Sequence, residues 1–175
     1  MLNAAKMQGG LTVLVTGAAG GFGSYLVQIL HQQGATVLAL SRPANRDWLT
    51  QLGANDTIDY TTDLTTQLQA APKATALLDT VGNTQLLNSL AAGQPQLQVW
   101  SIAQQNWQPL AATQAFHFVN GPIWPQQYRR LLDQLATGQL TAAIAATYDF
   151  HDVRQAQQAA QQPGQRGRTL LRYSH

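Results

Sequence analysis

The stretch Leu11-Thr-Val-Leu-Val-Thr-Gly-Ala-Ala-Gly-Gly-Phe-Gly23 decides the fold. Its first half, Leu11 to Thr16, is a continuous apolar and β-branched run, as a strand covered on both faces requires. Its second half is a glycine cluster. Beyond the cluster, Tyr25, Leu26, Ile29 and Leu30 recur at helical spacing until Gly34 supplies a stop, and Thr36 to Leu40 begins a second strand. The sum is a βαβ unit of about 30 residues. Glycines between a buried strand and a helix keep side chains away from an approaching anion, while free amides and aligned peptide dipoles at the helix start favour its charge. Ala19, Gly20, Gly21, Phe22 and Gly23 are therefore a candidate cradle for a diphosphate. The plain alternative is a tight turn and nothing more.

Outward from this unit, strand-length apolar runs keep alternating with helical periods, the pattern of parallel strands joined by crossover helices. Pro43 stands at a helix start followed by an apolar stripe at Trp48, Leu49 and Leu52. Strands are expected at 57–59, 76–79, 97–102 and 116–119, and helices at 64–70, about 84–92, and from Pro125 through Leu135. The tail reads as Tyr148 to Phe150 leading into a helix with Val153, Ala156 and Ala160, then turns at Pro163, Gly164 and Gly167, then a strand at 169–171. Nothing resembles a linker, so one α/β domain over residues 1–175 is expected, with a mostly parallel six-stranded sheet and helices on both faces. A helix over 1–8 would lead in.

Composition narrows the function classes. The 175 residues carry ten Lys and Arg against eight acidic groups, all of them Asp, so a formal charge of +2 gives a nucleic-acid partner little support. The mean hydropathy of -0.17 and the lack of a long apolar run argue against a membrane span. With no cysteine, disulfides, thiol nucleophiles, iron–sulfur centres and Cys-ligated zinc are excluded from this chain. His31, His117, His151 and His175 are scattered, and no metal site is expected. Met1 to Gly10 lacks a signal-peptide core, so a cytoplasmic address is expected.

Coenzyme choice is read at the tip of the second strand. A carboxylate about 20 residues after the glycines would take ribose hydroxyls. Here the chain has Leu40-Ser-Arg-Pro43 instead, with Arg46 one turn on. Ser41, Arg42 and Arg46 could receive a 2′-phosphate, which favours NADPH over NADH. The alternative is that both arginines are solvated helix-start residues.

Two dinucleotide families share the local glycine pattern. Short-chain dehydrogenases need a Tyr with a Lys four residues on, and no such pair exists: Tyr25, Tyr60, Tyr128 and Tyr148 are followed by Ile29, Leu64, Leu132 and Asp152. Read instead as Ala18-x-Gly20-x-x-Gly23, and taken with Leu52 to Tyr60, Leu78-Asp-Thr-Val-Gly82 and Gly164-Gln-Arg-Gly-Arg-Thr-Leu-Leu171, the chain resembles the zinc-independent quinone oxidoreductase branch of the medium-chain dehydrogenase/reductase family. That resemblance implies a Rossmann domain. It places Tyr60 at the adenine end, Thr80, Val81 and Gly82 beside the ribose, and Ser101, Ile102 and Ala103 near the nicotinamide. It implies hydride transfer from NADPH to a quinone or enone, a homodimer through strand 116–119, and an N-terminal barrel-like lobe not contained in these residues. The chain would then be a fragment, a truncated product, or a coenzyme module working beside another chain. A non-catalytic NADPH-sensing or assembly module is the second reading, and a remnant that no longer binds is the third. Asp79 is expected to cap a loop.

Overall fold

The computed structural model describes residues 10–162 and 164–173. The helix expected over 1–8 lies outside them. Strands β1 (Thr12–Val15), β2 (Thr36–Ser41), β3 (Asp56–Asp59), β4 (Ala76–Asp79), β5 (Gln98–Ser101) and β6 (Ala115–Phe118) form one sheet in the order β3-β2-β1-β4-β5-β6. Every neighbouring pair is parallel. The chain first builds outward from β1 to β3, then crosses back to continue from β4, so the order reverses between β1 and β4. That crevice is where ligands bind in open α/β sheets.

Alternation along each strand divides the core in two. Val13, Val15, Val37, Ala39 and Leu78 point to one face, where Leu26, Val27 and Leu30 of α1 (Gly23–Gln32) and Leu49 of α2 (Arg46–Gln51) cover them. Leu14, Leu38, Leu40, Leu77 and Val99 point to the other, against Leu68 of α3 (Leu64–Ala70), and Leu87 and Leu90 of α4 (Thr84–Ala91). Because both faces are buried at the central strands β1, β2 and β4, these are apolar along most of their length and read as nearly unbroken runs. Asp63 caps α3: the Thr66 hydroxyl and the Thr65 amide donate to its carboxylate and hold it below the usual carboxylate range. With a lowered folded value, that contribution is present at neutral pH and fades as pH falls through it.

After β6 come α5 (Pro125–Ala136), β7 (Ile144–Asp149), α6 (Val153–Ala160) and β8 (Arg168–Arg172). Strands β7 and β8 pair parallel to each other as a separate two-stranded sheet. The strand at 144–149 escapes the sequence pattern because Ile144-Ala-Ala-Thr-Tyr-Asp149 is small and half-exposed, with no buried face to impose alternation. This second sheet is held against the first unit by its amide contacts: Gly167 N donates to Ala19 O at 2.8 Å, and Gly20 and Gly167 form an isolated parallel bridge. Among the described residues, no helix is long and apolar enough to cross a membrane.

Candidate functional site

The glycine cluster sits at the carboxyl end of β1, at the crevice between β1 and β4. On the helix side the backbone bonding begins with Ser24 N donating to Gly20 O at 3.0 Å, and the amides of Gly21, Phe22 and Gly23 take no partner among the described residues. Gly23 opens a ten-residue helix with Phe22 as its N-cap, so the positive dipole end lies behind these amides. A Cβ at Gly23 would lie 2.1 Å from the Gly17 carbonyl oxygen, and that lack of room is what lets the loop fold tightly beneath these amides.

These residues line a groove of about 420 Å³, within the range of small-molecule sites. Ala19 to Gly23 form its floor, Leu40, Ser41, Arg42 and Tyr60 one end, and Thr80, Val81 and Ile102 the other. Eleven of the expected residues are thus brought together. Ser41 is buried and donates to the Arg42 carbonyl at 3.1 Å, while the Arg42 side chain is on the surface of the groove.

Four expected residues do not line it. Arg46 turns away to Asp56, 3.9 Å from its carboxylate, and donates to the Thr57 carbonyl at 3.3 Å, because the neighbouring β3 offers both acceptors. Ser101 is fully buried beneath the groove, and Gly82 and Ala103 pack on each other behind it. Their positions follow from Asp79, 1% exposed at the end of β4. Its Oδ1 accepts from the Thr16 hydroxyl at 2.6 Å and the Val81 amide at 3.1 Å, and its Oδ2 from the Ser101 hydroxyl at 2.6 Å and the Gly82 amide at 3.1 Å. Ser101 Oγ in turn accepts from the Ala103 and Gln104 amides. One carboxylate therefore ties together the tips of β1, β4 and β5.

The tail supplies lining residues that sequence reasoning missed: Gly164, Gln165 and Arg168, with Asn45 and Gly17 from nearer loops. The Arg168 arm crosses the glycine loop so closely that a Cβ at Gly21 would meet its Cγ at 2.2 Å. A guanidinium beside the three free amides adds a full positive charge to their dipoles. The available signal was the Arg166-Gly-Arg168 spacing in a chain poor in charge, but nothing local says that it returns to residue 21.

A parallel sheet in this order, with an anion-ready glycine turn at its switch point, defines a dinucleotide-binding domain of the Rossmann type. The chain belongs to the zinc-binding dehydrogenase family, whose profile matches residues 52–171. It is similar to the medium chain reductase pydE of Acremonium sp, 26% identical over 98% of this chain and 54% of that protein. By structure it is similar to the quinone oxidoreductase of Coxiella burnetii, with a TM-score of 0.81 and 20% identity over 97% of this chain and 55% of the other. It is also similar to a mycobacterial protein, Rv1454c, in complex with NADPH, with a TM-score of 0.77 and 21% identity over 98% of this chain and 60% of the other. The chain spans about half the length of the curated relatives it matches over nearly its whole extent. The resemblance to the medium-chain dehydrogenase/reductase family, the α/β class and the six-stranded Rossmann sheet are thereby borne out. The residues present do not fit a zinc ion: the chain has no cysteine, and the described residues bring no group of three His, Asp or Glu side chains together.

Proposed function

We propose that this chain is the coenzyme-holding half of an NADPH-dependent reductase acting on a quinone or an enone, completed by a substrate lobe outside residues 1–175. The observation that carries this reading is the groove's polarity along its length. Three free amides and Arg168 lie together where a diphosphate could be received, and Ser41 and Arg42 stand at the β2 tip with no carboxylate among the lining residues to repel a 2′-phosphate. Tyr60, half-exposed beside them, offers a flat face to adenine. NADPH supplies the hydride when bound. The chain's own part is to hold the diphosphate, orient the ribose against Thr80 and Val81, and exclude water with Ile102, the reverse side being left to the second lobe.

The NADPH preference is tested by titrating the chain with both reduced nucleotides. We expect NADPH to bind about 10-fold more tightly than NADH and the Arg42→Ala variant to lose most of that difference, as one charge-assisted pair contributes about 1.5–3 kcal/mol. Equal affinities in the unaltered chain would remove the preference. Arg46→Ala is expected to matter little, its guanidinium being engaged by Asp56.

A second reading, a module that binds NADPH and reports occupancy to a partner without turnover, is favoured by the lining itself. The groove holds no carboxylate, histidine or lysine, so a proton for a reduced acceptor must come from elsewhere. Quinone reduction by the isolated chain separates the two: steady turnover excludes the module, whereas tight binding without turnover supports it.

We further propose a homodimer through β6. It is the outer strand of the sheet, half-exposed and uncharged apart from His117, which stacks on Trp100 at 5.1 Å, and its open edge offers unpaired backbone groups to a second copy. Sedimentation is expected to give a dimer that Phe116→Pro dissociates; a monomer at all concentrations would refute it. The weak net charge supports a protein without a nucleic-acid partner.

A further inference from the structure

The turn 164–168 touches the groove at both ends. At one end Gly167 bonds Ala19 and Arg168 lies over Gly21. At the other, a Cβ at Gly164 would sit 2.8 Å from Arg42 Nη1, so the turn's backbone packs directly on that guanidinium. Between these contacts stands Arg166, which does not line the groove. Its Nε donates to Asn45 Oδ1 at 2.7 Å, its Nη2 donates to the Ala44 carbonyl, and its Cζ lies 5.7 Å from the centre of the Trp48 ring. Asn45 is buried, lines the groove, and its own amide closes the turn after β2 by donating to the Arg42 carbonyl at 3.0 Å. One guanidinium thus spends its forked donors on the loop that carries Arg42 and its flat face on the helix that follows.

We propose that Arg166 is a positioning residue for coenzyme selectivity: by clamping Ala44, Asn45 and Trp48 to the tail turn, it holds Arg42 where a phosphomonoester on the adenosine ribose can meet it. The proposal rests on the NADPH reading above and deepens it. The physical basis is entropic. Arg42 is an exposed, many-rotamer side chain, and a loop pinned at three points presents it already ordered. A nucleotide lacking the 2′-phosphate draws its affinity from the amides of Gly21 to Gly23 and from Arg168, which Arg166 does not touch. Removal of the clamp should therefore weaken NADPH and leave NADH nearly as it was. A purely structural role would weaken both alike.

The test is titration of the full chain and of Arg166→Ala, Arg166→Lys and Asn45→Ala with NADPH and with NADH, each variant checked by its melting curve. We expect Arg166→Ala to lose about 10-fold in NADPH affinity with NADH changed less than about 2-fold, and Asn45→Ala, itself a lining residue, to lose NADPH affinity by a larger factor than NADH affinity with the cation still in place. Arg166→Lys should recover only part, since an ammonium cannot engage Asn45 and Ala44 as a fork while lying flat on Trp48. An unchanged NADPH to NADH ratio in Arg166→Ala, beside a selective unaltered chain, overturns the proposal alone. So does a loss of selectivity in Arg166→Ala that Asn45→Ala does not share, because Arg166 would then be reading the phosphate directly. Failure of the unaltered chain to bind either nucleotide overturns the NADPH reading and this proposal with it.

Discussion

Gly23→Ala is expected to lower NADPH affinity by about 100-fold or more, close to 2.8 kcal/mol at 1.4 kcal/mol per tenfold. The new methyl carbon would stand 2.1 Å from the Gly17 carbonyl oxygen, 2.7 Å from its carbonyl carbon and 2.8 Å from the Ala18 Cα. All three are backbone atoms, so no side-chain rotation relieves the overlap. Either the loop lifts or the helix retreats, and in both cases the amides of Gly21, Phe22 and Gly23 lose their shared focus. Gly20→Ala separates binding from folding. Its added carbon meets only the Gly17 oxygen, at 3.1 Å, so the variant should melt near the unaltered chain yet still obstruct a ligand lying on the loop. Calorimetric titration beside thermal melts checks both. Undiminished NADPH affinity in both variants would mean that the coenzyme does not lie on this turn.

Asp79→Ala carries the second large effect, this time on stability. The substitution leaves two buried hydroxyls and two partly buried amides without their acceptor. Each stranded buried donor costs about 1–3 kcal/mol, and the hydroxyls of Thr16 and Ser101 recover part of it by rotating, for a net loss of about 4 kcal/mol. For a chain of this size that lowers the melting temperature by roughly 8–16 °C. Asp79→Asn should fall between, keeping one oxygen for the Val81 and Gly82 amides. A melt lowered by less than about 2 °C in the alanine variant would show that the network contributes little.

The same carboxylate shows where sequence reading reaches its limit. Asp79 was legible as the cap of a local loop, because an acid after an apolar strand and before Thr-Val-Gly is a local pattern. Its bonds to Thr16 and Ser101 lie 63 and 22 residues away, and no periodicity reports them. The central strands β1, β2 and β4 were legible for a related reason: residues buried on both faces are apolar along most of their length. β7 has no such obligation, and its alanines left no trace. At the groove, the glycine floor and the β2 tip follow from short-range chemistry. Arg46 looked equivalent to Arg42 on spacing alone, until β3 supplied Asp56 and the Thr57 carbonyl to draw it away. Arg168, Gln165 and Arg166 reach their positions through a tail that returns across the first glycine loop.

That return has a temporal meaning. The Gly167 amide donates a hydrogen bond to the Ala19 carbonyl across almost the whole chain, so a ribosome working at about 5–20 residues per second delivers the tail roughly 7–30 s after the loop it will cover. During that interval the glycine loop waits without Arg168, the side chain that lies over Gly21 in the finished fold. On the proposed reading, the arginine side of the site is therefore completed late, as the last strand arrives.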